Sequence, residues 1–236
     1  MSELLPKLLP LKGTAEEFDG EHTSLYEIEY HQIDHEAHKE TIRFSIAIGN
    51  AGRGPLHIIL GNEETENGET IAPAKQRIYQ ENGEFRDVDV GYLEKHMHEG
   101  HMGPPMPHWH YDGLASLDLL DQEGQIVESS RKNGYCIVDV FKFQNFPNSA
   151  DVPRFHPYAC STKEDVGISV GWADYYRPEA DSQYIEIDKV KSGEYTIRFK
   201  INETKLIHEI GEPVSIRVKI DKENKQVIPL LEQDSK

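Results

Sequence analysis

The sequence predicts an all-β fold, an antiparallel β-sandwich in a single domain with long loops. Three runs carry that expectation. Ile42, Phe44, Ile46 and Ile48 alternate with Thr41, Arg43, Ser45 and Ala47, and Gly49-Asn50 ends the run. Tyr195, Ile197, Phe199 and Ile201 repeat the pattern, as do Val214, Ile216, Val218 and Ile220. A period of two sets one face of a strand on a core and the other in water. Shorter β-rich runs fall at 55–60, 77–80, 116–120, 135–143 and 184–187. No segment keeps helical periodicity beyond a turn or two, which leaves antiparallel strands packed as a sandwich.

Strand rhythm breaks twice, at 61–74, acidic and glycine-bearing, and at 144–157, rich in proline. Both read as loop excursions within one domain covering 1–236, because strand patterns of the same character resume on either side. Residues 1–20 read as an N-terminal arm. It is Leu-rich at first, but Pro6 and Pro10 interrupt it and no basic stretch leads into an apolar core, so it is a poor export signal. The expected compartment is cytoplasmic as the sequence stands, or extracellular if a leader has been removed.

The bulk numbers exclude some partners. A chain of 236 residues can bury a real core, and 37% hydrophobic with 28% charged residues is ordinary for a soluble globular protein. No run nears the ~18 apolar residues of a membrane span. A formal charge of −17 argues against nucleic acid, which calls for a basic footprint. It suits cationic partners such as amines or lysine-rich proteins, beside the plainer reading of a solvated acidic surface. Cys136 and Cys160 are the only cysteines. A bridge between them would stabilise by ~3 kcal/mol, and whether it forms depends on the compartment.

Five of the twelve histidines fall between His96 and His110. Residues two apart in a strand share a face, so His108 and His110 can converge on one ion while Trp109 turns into packing. A third imidazole would complete a set suited to Cu(II), Zn or Ni(II). His101 and His98 are the candidates. The plain alternative is a set of polar loop histidines. A metal-dependent cupin also places His-x-His on a strand, but it wants a glutamate four or five residues later. Leu114 and Ala115 stand there.

Two further motifs follow the histidines. One is Lys132-Asn133-Gly134-Tyr135-Cys136-Ile137-Val138-Asp139, the other Gly167-Ile168-Ser169-Val170-Gly171-Trp172-Ala173-Asp174-Tyr175-Tyr176. Taken singly, Lys132 reads as a surface turn lysine and Tyr176 as a rim aromatic, and spacing does not choose Tyr176 over Tyr175. In this order, the three motifs resemble the catalytic domain of the lysyl oxidases, closest to the short bacterial and archaeal members. The likeness extends through Ile42-Arg43-Phe44, Asn50-Ala51-Gly52 and Gln76-Arg77-Ile78-Tyr79 to the strand at Gln183-Tyr184-Ile185-Glu186-Ile187.

The resemblance implies a copper amine oxidase whose cofactor, a lysyl tyrosylquinone, is built from Lys132 and Tyr176. The chemistry has a physical logic. Ordinary side chains do not oxidise primary amines, so an electron-sink carbonyl is needed, and an oxidised tyrosine supplies one. The lysine must add to it as a neutral amine, which calls for burial or a nearby metal. The implied substrates are peptidyl-lysine or small amines together with O2, giving aldehyde, ammonia and H2O2. The implied copper ligands are His101, His108 and His110. Family members carry His-x-His-aromatic-His, whereas Met106 stands two residues before His108, so His98 and Met106 also compete for the third place. The alternative function is a non-catalytic metal-binding or interaction sandwich that has kept the fold without the chemistry. A plain adhesion-type sandwich leaves the lysine and tyrosine motifs unexplained.

Overall fold

The computed structural model describes residues 2–11, 14–16, 22–24, 28–33, 39–98, 106–130, 132, 134–162, 164–178, 180 and 182–230. Antiparallel strands make up nearly all of it, as the alternation predicts, and helix among the described residues is the single turn Ala159–Thr162. The largest sheet runs, strand beside strand, through Gly134–Tyr135, Met106–Asp112, Phe85–His98, Glu69–Gln80, Leu56–Leu60 and Val166–Ile168. A second sheet orders Ile126–Ser129, Ala115–Leu120, Gly193–Ile201, Val214–Asp221 and Gln226–Leu230. Alternation is plain in Glu69–Gln80, where Ala72, Ala74, Gln76 and Ile78 are buried and Pro73 and Lys75 are exposed. Leu8, Ile58, Leu93, Leu119, Phe199 and Val218, drawn from different sheets, join one core cluster, so the sheets close on each other as a sandwich.

Three stretches depart from the sequence reading. The run from Thr41 to Ile48 is two strands. Lys39–Phe44 pairs with Ile28–Ile33 and Tyr184–Glu186, the ladder breaks at Ser45, and Ile46–Asn50 pairs with Leu8–Pro10 and Trp172–Tyr176. All five residues of Ile46–Asn50 are buried. Ile46 and Ile48 face the main core, while Ala47 meets Leu11, Phe141 and Ala173 on the other side. Both faces of this strand are therefore covered, and neither meets water.

The acidic stretch at 61–74 is no loop. Glu64–Glu66 pairs back on the start of Glu69–Gln80 around Asn67-Gly68, both at positive φ (52° and 90°). An Asn-Gly pair at positive φ is the favoured chemistry of a two-residue hairpin turn. Glu64, Thr65 and Glu66 are all exposed, so no apolar face marked the strand. The expected strand at 135–143 is also divided. Only Gly134–Tyr135 and Phe141–Lys142 lie in ladders, and between them Asp139 N donates to Phe155 O and Val140 N to Ala173 O. Asp139 anchors this segment by accepting from Arg154 N, Phe155 N, Ser169 N and Ser169 Oγ.

The helical turn Ala159–Thr162 carries Cys160, which is bonded to Cys136 with Cα atoms 5.9 Å apart. The N-terminal arm is tied down as well. Glu3–Leu4 adds to Glu69–Gln80, Leu8–Pro10 pairs with Ile46–Asn50, and Leu8 is fully buried. Among the described residues no helix is long and apolar enough to cross a membrane.

Candidate metal centre and lysine–tyrosine pair

Register decides what the histidine strand presents. Met106–Asp112 pairs with Phe85–His98 so that His108 lies opposite His96 and His110 opposite Glu94. Directly opposed residues project the same way with Cβ atoms about 5 Å apart, and alternate residues share a face. His108, His110 and Asp112 thus stand on one side with Glu94 and His96. Trp109 and Tyr111 point to the other and are buried. The Tyr111 hydroxyl donates to Val90 O at 2.6 Å, and burial pushes its pKa up to about 12, as suits a core phenol.

The polar side is crowded. His110 is 8% exposed, and its ring centroid is 5.0 Å from that of the more exposed His96. Glu94, His96 and Asp112 hold one potential ligand atom each within 4.8 Å of one another. Burial, then the Asp112 and Glu69 carboxylates, raise the pKa of Glu94. Gly134, paired with Asp112, lets Asp112 and His110 pack against its backbone. A Cβ there would lie 2.5 Å from Asp112 Oδ1 and 3.0 Å from His110 Cβ. Imidazole packed with carboxylate fits a borderline divalent ion such as copper or zinc. Of the other candidate ligands, His101 lies outside the described residues. His98 and Met106 face each other by backbone register at the end of the strand pair.

The lysine–tyrosine pair sits on the far side of the edge strand Gly134–Tyr135. Lys132 is not a surface turn residue: it is 7% exposed. Its Nζ lies 5.1 Å from the ring centroid of Tyr135 and 5.0 Å from that of Tyr176. An amine over two aromatic faces is held by their π electrons when charged and by apolar contact when neutral. The two rings meet edge to face at 5.2 Å and 84°, and the Tyr176 hydroxyl donates to Cys136 O at 2.5 Å. Tyr175 turns the opposite way and packs on Phe141. Alternation along Trp172–Tyr176 thus leaves Tyr176 as the tyrosine of this strand that meets Lys132.

Asp174 shares the face of Tyr176, two residues upstream, and is 2% exposed. Its Oδ1 accepts from Tyr175 N at 2.9 Å, while Oδ2 has no hydrogen-bond partner among the described residues. Burial holds the Asp174 pKa well above the ordinary carboxylate value, and burial followed by the Asp174 charge raises that of Tyr176. Tyr135, fully buried with no partner for its hydroxyl among the described residues, is pushed up in the same way. The structure therefore brings Lys132 beside Tyr176 and sets His96, His108 and His110 on one face of two paired strands. It sets the imidazoles and the Tyr135 ring on opposite faces of one short strand. Sequence reasoning missed Tyr135 as a wall of the lysine site and His96 as a member of the histidine face. The second was detectable, since His96, His98 and Glu94 alternate in one strand.

Residues 78–224 match the family model described as Lysyl oxidase. The chain belongs to the lysyl oxidase family. His96, His108, His110, Lys132 and Tyr176 all lie inside the matched stretch. Protein-lysine 6-oxidase of Gallus gallus is 32% identical over 106 residues, covering 43% of this chain and 23% of that protein. Protein-lysine 6-oxidase of Sus scrofa is 32% identical over 106 residues, covering 43% of this chain and 39% of that protein. Lysyl oxidase homolog 2A of Danio rerio is 26% identical over 170 residues, covering 72% of this chain and 17% of that protein. The chain spans less than half the length of each of these relatives.

Proposed function

We propose that this protein is a copper-dependent amine oxidase, with Lys132 and Tyr176 as the precursors of a lysyl tyrosylquinone. The observation that carries the reading is the approach of Lys132 Nζ to within 5.0 Å of the Tyr176 ring centroid across 44 sequence positions. His108 and His110 would hold the metal, with His101 the third ligand implied by the family resemblance. The net reaction takes a primary amine, O2 and water to an aldehyde, ammonia and H2O2. A peptidyl-lysine or small-amine substrate suits both the family and a chain of charge −17.

Each residue has a physical task. Tyr135 and Tyr176 form two walls that keep the Lys132 amine beside the ring it would join. The Cys136 carbonyl fixes the direction of the Tyr176 hydroxyl. That phenol is hard to ionise because burial and Asp174 favour its protonated form. The quinone, once formed, supplies the carbonyl that serves as electron sink. Asp174, with an unpartnered Oδ2 and a pKa already raised, is suited to take up the proton released from Tyr176 or from Lys132.

The deciding experiment adds copper to metal-free protein in air and follows the visible spectrum and redox-cycling stain. Quinone absorbance together with peroxide release from a primary amine supports the oxidase. A protein that binds copper in full, stays colourless and releases no peroxide would be the non-catalytic metal-binding sandwich instead.

A further inference from the structure

We propose that this chain completes its metal site across two strands, with His96, rather than the His101 that the family resemblance implies, as a direct ligand beside His108 and His110 and with Glu94 and Asp112 as the supporting carboxylates. The inference rests on the metal-binding part of the function proposed above, but on none of its quinone chemistry. The argument begins with register. His96 is the residue directly opposite His108, so the two imidazoles leave the sheet side by side, and the His96 ring is 5.0 Å from that of His110. These three side chains, two from one strand and one from its partner, stand on one face of the sheet. A tetrahedral or tetragonal ion needs its nitrogen donors in such a cluster.

The carboxylates belong to the same cluster. The His96 Nε2 is 3.4 Å from Glu94 Oε2, and both lie within the group that includes Asp112. A carboxylate against an imidazole orients the ring, the usual support for a metal-bound histidine. The absent side chain at Gly134 is the second, independent observation. It lets Asp112 Oδ1 and His110 Nδ1 close in on this backbone, where a Cβ would stand 2.5 and 3.1 Å from them. Met106 therefore need not supply the missing ligand, and the site keeps three hard-to-intermediate nitrogens suited to Cu(II) rather than a thioether that favours Cu(I).

The test uses the full chain, stripped of metal and titrated with Cu(II) alone, in wild-type and Tyr176→Phe backgrounds. Pulsed EPR counts the coordinated imidazoles. His96→Ala should remove one imidazole from the count and weaken copper binding by roughly tenfold or more. His96→Ala with an unchanged imidazole count and unchanged affinity would overturn the proposal. Because the strand could be disturbed by the variant, copper-edge anomalous diffraction from loaded wild-type crystals gives an answer without substitution. A peak within bonding distance of a His96 ring nitrogen supports the assignment, and a peak bonded to His108 and His110 but remote from His96 overturns it. The Tyr176→Phe background removes the proposed quinone precursor, so an imidazole count there judges His96 apart from the oxidase reading. A correct count in a wild-type protein that never forms quinone would count against the oxidase reading alone.

Discussion

The Tyr176 hydroxyl donates to the carbonyl of Cys136 at 2.5 Å, across 40 positions of sequence. Cys136 is in turn bonded to Cys160 on the turn Ala159–Thr162. The direction of the phenol therefore depends on a backbone carbonyl whose own position is held by a disulfide. Lys132 lies four residues before Cys136 and reaches the same ring. One covalent staple thus orders both halves of the proposed cofactor.

Tyr176→Phe removes that hydrogen bond and leaves the Cys136 carbonyl to find another donor. The expected cost is about 1 kcal/mol in urea unfolding. Redox staining after copper treatment should disappear entirely, because no phenol remains to oxidise. A variant that still stains would place the quinone on another tyrosine, with Tyr135 the nearest.

Breaking the disulfide should cost more. Its loop of 24 positions corresponds to about 3.5 kcal/mol of chain entropy. Titration of unreduced, denatured protein should find no reactive thiol. Reduction should lower the unfolding midpoint and slow quinone formation, since the acceptor for Tyr176 is no longer anchored. A midpoint that does not move on reduction would remove the disulfide from the account of stability.

Lys132→Met keeps an unbranched, apolar stem between Tyr135 and Tyr176 but has no amine to add. The fold and the copper stoichiometry should be retained while the cross-link is lost. Tryptic mass spectrometry of copper-treated wild type should find the Lys132 and Tyr176 peptides joined, and in the variant both should run free. Separate, unmodified peptides in a wild-type protein that is oxidising amines would refute the proposed cofactor.

Asp174 sets a pH dependence whose sign follows from its environment. Its folded pKa is raised well above 3.8, so the folded protein keeps a proton that the unfolded chain releases as pH climbs past that value. The stability linked to this group is present at low pH and is lost as pH rises from 3.8 toward the folded pKa. Asp174→Asn abolishes the titration. Relative to wild type, it should gain stability as the pH is taken from 3.8 to neutrality, read as Tm against pH. A constant difference across that range would mean that Asp174 titrates normally. Quinone formation in this variant should be slowed, because Oδ2 no longer takes up a proton.

His57 moves stability in the opposite direction. Burial lowers its pKa from 6.5, even though Asp165 pairs with its Nε2 at 2.8 Å. Above pH 6.5 neither state is protonated there. Below it the unfolded chain takes up a proton that the folded protein refuses, so stability falls as the pH drops from 6.5 through the folded value. His57→Gln should flatten that acid limb of the curve, and an unchanged limb would show that another group sets it.

Much of this protein was legible in one dimension because strand periodicity is local. Ile197, Phe199, Val218 and Ile220 announce their buried faces through residues two apart, and the structure buries them. The motif order from His108 through Lys132 to Tyr176 pointed to the family by residue identity alone. The hairpin at Glu64–Glu66 stayed hidden because both of its faces are polar, and the strand at Ile46–Asn50 lost its alternation because both of its faces are covered.

What only the tertiary structure decided is who meets whom across the chain. Nothing in the spacing of Ser129-Ser130-Arg131-Lys132 marks that lysine as buried, and nothing near Tyr176 separates it from Tyr175. Burial of Lys132 comes from Tyr135 and Tyr176, and the choice of tyrosine comes from which side of Trp172–Tyr176 faces Cys136. His96 joins His108 and His110 through the register of two strands, and a shift by one residue would have sent it to the other face. Periodicity depends on neighbours a few bonds apart, whereas register and packing are settled by contacts between residues tens of positions apart.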